Sequence, residues 1–348
     1  MIDDETAMIR EAAQRLFTDR CTREVLGAAA AGQWPTELWD AVELSGLTWA
    51  LVSERAGGSA LPIGAALSLI DVAGEFAAPI PLAETMIAAW LLDRAGLTVP
   101  SGPLTFATLT GQAQSQKGSW HITGVAQRVS WARMSGVVAL AECDGGARLF
   151  LLDRDCFEVE QGVNIAGEPR DTLNMDAIID GGRTSLSPVS TSELRALGAA
   201  VRTMQIAGAL KRATELTLQY AKDRMQFGRS LSKFQAIQQI IAVLATQTAV
   251  AAMAAEIARG AVASDALLPN VAIAKARAGE AAGIGAAIAH QVHGAIGFTL
   301  EHDLQYFTKR LYAWRDEFGN EAEWNQLIGQ RVAALGPDEL WPAITAAA

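Results

Sequence analysis

Two short stretches in the C-terminal half carry most of the information in this sequence: DRMQFG at residues 223–228 and QVHGAIGF at residues 291–298. An arginine side chain can donate paired hydrogen bonds to a phosphate, and a phenylalanine offers a flat apolar face to a base. Two glycines three residues apart allow the backbone to approach a phosphate or a ribose closely. The two stretches together therefore predict a clamp for an extended diphosphate cofactor.

Each stretch also has a simpler interpretation. An arginine at the end of a helix interacts favourably with the helix dipole, and Gly228 suits a helix stop. A Gly-x-x-Gly can form only a cap and a turn. His293 is interpreted as a structural histidine, without acid–base work. The combination of the two stretches favours a ligand more than either stretch does alone.

The pattern of apolar and turn-forming residues in the rest of the chain predicts an α+β fold with three domains. Residues 1–100 are rich in alanine and show helical periodicity, which predicts an N-terminal helical domain. Residues 101–190 contain short β-type runs between turns, which predict a compact antiparallel sheet or barrel. Residues 191–348 predict a C-terminal four-helix bundle, because long helical segments follow one another with short connections. The expected helices cover residues 194–224, 232–262, 270–293 and 303–318.

Composition excludes several classes of function. The chain has 348 residues and a formal net charge of −10, which argues against binding a nucleic-acid backbone by broad electrostatics. No uninterrupted apolar run reaches the roughly 18–20 residues of a membrane span. Residues 1–5 are acidic, unlike the start of a signal peptide, and three dispersed cysteines indicate neither disulfides nor a metal site. We expect a cytoplasmic protein without a metal.

Five groups of residues, spread over nearly the whole chain, resemble the acyl-CoA dehydrogenase family. They are Gly32-x-Trp34-Pro35 with Leu38-Trp39, Gly57-Gly58, Gly167-Glu168-Pro169-Arg170-Asp171, Arg224-x-Gln226-Phe227-Gly228 with Phe234-Gln235, and Gln291-x-His293-Gly294-x-x-Gly297-Phe298-x-x-Glu301. The resemblance implies FAD as the cofactor. It also implies that six residues reach the adenine and diphosphate half of a flavin held mainly by the neighbouring subunit: Arg224, Gln226, Phe227, Gln291, Gly294 and Gly297.

The chain departs from the family pattern where the family holds the flavin ring and its catalytic base. Residues 110–118 look like a plain hairpin in place of the loop that cradles the flavin. Ser130 stands where the family has a threonine hydroxyl, but Arg128 replaces a stacking tryptophan. Relatives carry the glutamate that acts as catalytic base at one of two positions. In this sequence one of these positions is Phe318 and the other is Met225.

Two acidic residues lie beside the first of those places. Asp316 and Glu317 are candidate catalytic carboxylates if the alignment slips by one or two residues, although one residue turns a helical side chain by about 100°. Both also have a simpler interpretation as solvated charges. The sequence does not decide between these interpretations.

The resemblance leaves three hypotheses open. In the first, the chain is the reduced subunit of a heteromeric acyl-CoA dehydrogenase and is inactive alone. It then shares FAD with a homologous catalytic subunit that oxidises an acyl-CoA, of fatty acid or steroid side-chain type, and passes electrons to an electron-transfer flavoprotein. In the second, it is a self-sufficient homo-oligomer with Glu317 or Asp316 as the base and Ser130 near the flavin. In the third, it is a non-enzymatic scaffold.

Overall fold

The computed structural model describes residues 4–346, and it confirms the α+β class with helices at both ends and β-structure between them. Part of the acidic N-terminal segment, residues 1–3, lies outside the described residues, as do residues 347–348. The chain packs into two compact units: residues 1–69 with 78–197, and residues 70–77 with 198–348. The division into three domains at residues 100 and 190 follows secondary structure instead and stays a prediction.

The first unit begins with helices whose alanine-rich faces pack closely. The helices before the sheets are α1 (Asp4–Arg20), α2 (Arg23–Ala30), α3 (Thr36–Leu44), α4 (Ile63–Glu75) and α5 (Leu82–Arg94). In α5, every residue from Leu82 to Ala89 is buried. The Thr85 hydroxyl of this helix hydrogen-bonds with the backbone of Leu104, which ties the helix to the first strand.

Two four-stranded sheets complete the first unit. Their strands are β1 (Leu104–Thr108), β2 (Thr110–Gln116), β3 (Ser119–Ser130), β4 (Gly136–Cys143), β5 (Gly146–Leu152), β6 (Phe157–Glu160), β7 (Arg170–Asp180) and β8 (Thr184–Leu186). The strand orders are β1-β4-β5-β8 and β2-β3-β7-β6. All pairs of these strands are antiparallel, as predicted, except β1 with β4, which is parallel. Residues 110–118 belong to the predicted hairpin, with Gln116 opposite Ser119.

The second unit contains the four expected helices and more. The elements after the sheets are α6 (Thr191–Asp223), β9 (Met225–Gln226), β10 (Arg229–Ser230), α7 (Gln235–Val262), α8 (Leu267–His293), α9 (Leu304–Asp316), α10 (Glu321–Leu335) and α11 (Pro337–Ala346). The last two helices were not predicted. A capping box between Asn320 and Glu323 starts α10, and this pattern is visible in the sequence.

Glycines permit the close helix crossings of this unit. A Cβ atom at Gly74 would lie 2.5 Å from the carbonyl oxygen of Gln205, and one at Gly208 would lie 2.0 Å from that of Asp71. The backbones of α4 and α6 therefore touch at this crossing, which explains why residues 70–77 group with the C-terminal helices. Arg259 of α7 donates to the Asp71 carboxylate and so ties a third helix to this part of α4.

Candidate cofactor clamp and candidate base

The stretch at residues 223–228 forms a small exposed hairpin rather than a simple helix stop. Helix α6 ends at Asp223, and Gln226 pairs with Arg229 across the turn. The two central residues, Phe227 (φ 50°) and Gly228 (φ 78°), both have the positive φ that a tight hairpin turn requires. The Phe227 side chain is 92% exposed. The fold thus presents an aromatic ring to solvent on a strained backbone, a feature that marks functional positions.

Charged and aromatic side chains surround this hairpin. Arg224 and Gln226 are exposed, so their donor groups face solvent. The Arg229 guanidinium lies 4.1 Å from the ring centroid of Phe234, and the Phe227 and Phe234 rings are 6.3 Å apart. An exposed cation–aromatic cluster of this kind offers both charge and a stacking surface to a nucleotide.

The second stretch ends helix α8 and then turns sharply. Gly294 has φ 65° and ψ −145°, a conformation that is essentially restricted to glycine. A Cβ atom at Gly294 would meet no atom within 4 Å among the described residues, so this backbone is open to solvent. Gln291 is exposed as well. These two residues are therefore accessible to a ligand.

Gly297 has a different role from Gly294. It is buried, and a Cβ atom there would lie 3.0 Å from Cβ of His293 and 3.1 Å from Nδ1 of His290. His290 in turn stacks on Phe298, with ring centroids 4.0 Å apart. The glycine therefore allows the turn to pack on the two histidines, whatever else it does.

Replacing Gly297 by alanine is expected to lower the free energy of unfolding by about 1 kcal/mol, because the added methyl group overpacks the site. Denaturant unfolding measures this cost. Gly329→Ala, in the exposed part of α10 with open space around the glycine, is the matched control and should stabilise the protein slightly. Unchanged stability of Gly297→Ala together with weakened flavin binding would instead assign the glycine to the ligand.

A histidine and a tyrosine bring the two stretches together. The rings of Tyr220 and His293 stack with centroids 4.5 Å apart, and His302 packs edge-on against His293 at 4.6 Å. Tyr220 lies one helical turn before Arg224, and His293 directly precedes Gly294. The two sequence motifs, about seventy residues apart, thus meet at one end of the helical unit.

His293 itself is a structural residue in a neutral state. It is 3% exposed, and its Nδ1 donates to the carbonyl oxygen of Ala289 at 2.8 Å. Burial lowers the pKa of His293 to about 4. Among the described residues its Nε2 has no hydrogen-bond partner. The imidazole therefore holds the stack with Tyr220 and, as the sequence suggested, nothing assigns it proton transfer.

The two candidate carboxylates differ in burial. Asp316 is the last residue of α9 and is exposed, whereas Glu317 is 6% exposed. The Glu317 carboxylate accepts a 2.6 Å hydrogen bond from Nε of Arg202, whose side chain is 1% exposed. Arg202 also donates to Oε1 of Gln205 at 2.5 Å. Glu317 is therefore the counter-ion of a buried arginine.

Phe318, at the place where the family base would fall, completes this packing. Its backbone has φ 56°, and its ring lies under the Arg202 guanidinium at 5.5 Å. A Cβ atom at Gly198 would come within 2.3 Å of the ring, so the glycine makes room for it. The buried amine of Lys275 donates to the carbonyl oxygens of Arg315 and Gly319, and burial lowers its pKa to about 8. The whole α9–α10 connection is thus fixed by internal contacts.

The clamp and the candidate base lie far apart along one helix. Arg202 lies in α6 and Arg224 directly follows its last residue; 22 residues separate them, a distance of about 33 Å at 1.5 Å per residue. Glu317 contacts the first of these arginines, and the clamp surrounds the second. The fold therefore does not bring the two sets of predicted residues together.

Ser130 belongs to the first unit. It ends β3, is 4% exposed, and lies opposite Arg170 in the register of β7. The next residue, Trp131, has φ 59°, and its ring packs edge-on against Trp34 at 6.3 Å. Arg128, two residues earlier, is exposed with φ 55°. The segment that resembles the flavin-facing strand of the family is therefore irregular and closed by a buried tryptophan.

Comparisons with known proteins agree with the fold and the motifs. The family model described as acyl-CoA dehydrogenase, C-terminal domain, matches residues 194–331. The acyl-CoA dehydrogenase IpdE2 of Mycolicibacterium smegmatis is 25% identical over 323 residues, which cover 89% of this chain and 93% of that protein. Residues 194–331 therefore carry a C-terminal domain of the acyl-CoA dehydrogenase type.

Two solved structures of similar fold carry the names of paired proteins. The ChsE4-ChsE5 complex from Mycobacterium tuberculosis contains a chain with a TM-score of 0.87 and 22% identity, covering 97% of this chain and 99% of that one. A chain of the Tcur3481-Tcur3483 steroid ACAD has a TM-score of 0.86 and 22% identity, covering 96% and 99%. At this identity the likeness shows the fold alone.

Sequence reasoning missed Arg202, Gln205 and Tyr220. A signal for Arg202 does exist, because it is the one charged residue in the apolar helical run from residue 196 to residue 210. A charge in the middle of such a run is buried and needs a partner. The sequence gives no indication that the partner is Glu317, 115 residues away.

Proposed function

We propose that the chain is a subunit of a heteromeric FAD-dependent acyl-CoA dehydrogenase. It supplies the adenine and diphosphate side of the flavin site to a homologous catalytic subunit, which holds the reactive ring. The assembly oxidises an acyl-CoA to its trans-2-enoyl-CoA and passes the electrons to an electron-transfer flavoprotein. The isolated chain is inactive, and the protein is cytoplasmic.

One observation carries this proposal: the exposed clamp and the buried carboxylate candidate, Glu317, sit towards opposite ends of α6. A general base must lie within hydrogen-bond reach of the proton it removes. A clamp about 33 Å along the helix from Arg202 serves a different reacting centre. The Arg202 ion pair further ties up Glu317. These facts favour a cofactor that is completed by another polypeptide.

The clamp residues fit the nucleotide end of FAD. Arg224 would hold the diphosphate by charge-assisted hydrogen bonds, and Gln226 and Gln291 would donate from their exposed amides. The exposed Phe227 ring would cover the adenine, and Gly294 would allow close backbone approach. When bound, FAD supplies the acceptor for the hydride that leaves the acyl chain. The role of this chain is to bind and orient FAD.

The relatives support the heteromeric interpretation and suggest the substrate class. Two structures of the same fold are named for protein pairs, ChsE4-ChsE5 and Tcur3481-Tcur3483, and the second is named a steroid ACAD. From these names we infer that the acyl group is bulky and of steroid side-chain type. A CoA thioester is an anion, so local basic side chains must hold it against the overall charge of −10.

Flavin absorbance tests whether this chain needs the homologous subunit to hold the flavin. The chain purified alone should be colourless, and the complex with a co-expressed homologous subunit should be yellow and active towards acyl-CoA. A yellow and active chain on its own would establish the self-sufficient enzyme instead. If substitution of the clamp residues leaves flavin binding by the complex unchanged, the result would establish the chain as a non-enzymatic scaffold.

Arg224→Ala is expected to weaken FAD binding by the complex about tenfold, because one charge-assisted hydrogen-bonding group is lost. Arg212→Ala is the matched control, since Arg212 is an exposed arginine about three turns earlier along α6. Flavin content after gel filtration and titration of the apo-complex with FAD give the affinities. Equal affinities for both variants and the wild type would refute the clamp.

A further inference from the structure

A second arginine, Arg229, lies in the exposed hairpin that also carries Arg224 and Gln226. It pairs directly with Gln226 across the turn, and side chains directly opposite each other in an antiparallel pair project to one face. The carbonyl oxygen of Arg224 accepts from the backbone N–H of Leu231, which continues the pairing by one residue. Arg224 and Gln226 are two residues apart and share that face as well. The three long side chains therefore lie on one face of the hairpin.

The ring of Phe234 holds the Arg229 side chain in place. The guanidinium lies 4.1 Å from the ring centroid, well inside the reach of a cation–π contact. This contact uses the aromatic face and leaves N–H groups of the guanidinium free for an acceptor. Among residues 4–346, however, no oxygen atom accepts from them and no carboxylate forms an ion pair with the group. Arg229 is thus positioned by the protein and has donors that the protein does not use.

The guanidinium of Arg224 is also unneutralised, although an acidic residue adjoins it in the sequence. No described residue forms an ion pair or a hydrogen bond with this guanidinium. The carboxylate of Asp223 accepts from the amide of Gln219 instead, at 2.8 and 2.9 Å. Some exposed arginines of this unit pair with a glutamate one helical turn away, as Arg212 does with Glu215. The hairpin therefore concentrates positive charge in a chain whose net charge is −10.

Two guanidinium groups in this arrangement fit a diphosphate. Arg224 and Arg229 occupy diagonal positions across the hairpin, where backbones are about 7–8 Å apart and long side chains can meet. Like charges so placed repel each other unless an anion lies between them. A diphosphate carries charge and acceptor oxygens on two adjacent phosphates, and each guanidinium can donate paired hydrogen bonds to one of them. A monophosphate would leave one of the two arginines unused.

We propose that Arg229 is a second phosphate-binding residue of the cofactor clamp and that the ring of Phe234 positions it. Arg224 and Arg229 together bind the two phosphates of a dinucleotide, so the clamp selects a diphosphate over a monophosphate. The inference rests on the proposed function, because it assigns a further residue and a ligand preference to the same flavin site.

Displacement of FAD by ADP and by AMP tests the selectivity of the clamp in the complex with the homologous subunit. The wild type should prefer ADP by at least about tenfold, because only ADP engages both arginines. In Arg229→Ala this preference should fall below about threefold, and the affinity for FAD should fall about tenfold. Arg331→Ala, which removes another exposed arginine of the same unit, should leave both values unchanged.

Phe234→Leu tests whether the ring acts through the guanidinium. It should weaken FAD binding in the wild-type background and add nothing in the Arg229→Ala background, since the ring then has no cation to hold. Phe234→Tyr keeps an aromatic face and should restore the wild-type affinity. An equal loss from Phe234→Leu in both backgrounds would overturn the positioning role of the ring.

Wild-type FAD affinity and a retained preference for ADP in Arg229→Ala would overturn the assignment of this arginine. If Arg224→Ala still weakens FAD binding in that case, the proposed flavin site stands without Arg229. If neither arginine affects FAD binding, the proposed function fails as well. Far-UV circular dichroism should be the same for Arg229→Ala and the wild type, because this side chain is exposed.

Discussion

Replacing Glu317 by glutamine is expected to lower the free energy of unfolding by about 3–5 kcal/mol, the usual cost of removing one partner of a buried ion pair. The guanidinium of Arg202 is 1% exposed and would lose the anion that lies 2.6 Å from its Nε. The buried Lys275 is close to the same connection and adds positive charge. Urea or guanidinium unfolding of the purified chain measures the loss.

The neighbouring residue provides a matched control. Asp316→Asn changes an exposed carboxylate and should alter stability by less than about 0.5 kcal/mol. Replacing both members of the pair, as Arg202→Met with Glu317→Leu, should recover much of the loss, since apolar residues can substitute for a buried pair. A stable Glu317→Gln protein that binds flavin but has lost turnover would instead identify Glu317 as the base.

Acidification should destabilise the clamp end of the helical unit through His293. Burial holds the pKa of this imidazole at about 4 in the folded protein, below its ordinary value of 6.5. Between these two values the unfolded chain binds the proton and the folded chain does not, so stability falls as the pH falls from 6.5 towards 4. For this one group the loss between pH 7 and pH 5 is about 2 kcal/mol.

His293→Phe isolates this contribution, because a phenyl ring keeps the stack on Tyr220 but does not titrate. The drop in unfolding free energy from pH 7 to pH 5 should be about 2 kcal/mol smaller in this variant than in the wild type. Identical pH dependence in His293→Phe and the wild type would contradict the neutral, buried state of His293.

Several elements were predictable because their signals are local. The helical periodicity of residues 194–224 and 232–262 follows from alanine-rich sequence with apolar positions three and four apart, and α6 and α7 lie there. The hairpin at residues 110–118 follows from polar residues around Lys117-Gly118, both of which have positive φ. Helix α10 was also predictable, because the spacing of its capping-box residues, Asn320 and Glu323, is visible in the sequence.

Other features depend on residues distant in the chain. The parallel pairing of β1 with β4 is a choice of sheet partner, and no local pattern specifies it. Gly294 and Gly297 look equivalent in sequence, yet one is open to solvent and the other is packed against His290. Asp316 and Glu317 are adjacent and alike, but only Glu317 meets Arg202.

The sequence by itself determined the helix–strand–helix order of the chain, the kinds of residue in the candidate clamp and the resemblance to acyl-CoA dehydrogenases, because periodicity, turn chemistry and motif spacing act over a few residues. Only the tertiary structure decided which of these residues remain accessible for chemistry. Burial and ion pairing arise when segments more than a hundred residues apart pack together. That packing turned Glu317 into the counter-ion of Arg202 and left Arg224 and Phe227 facing solvent.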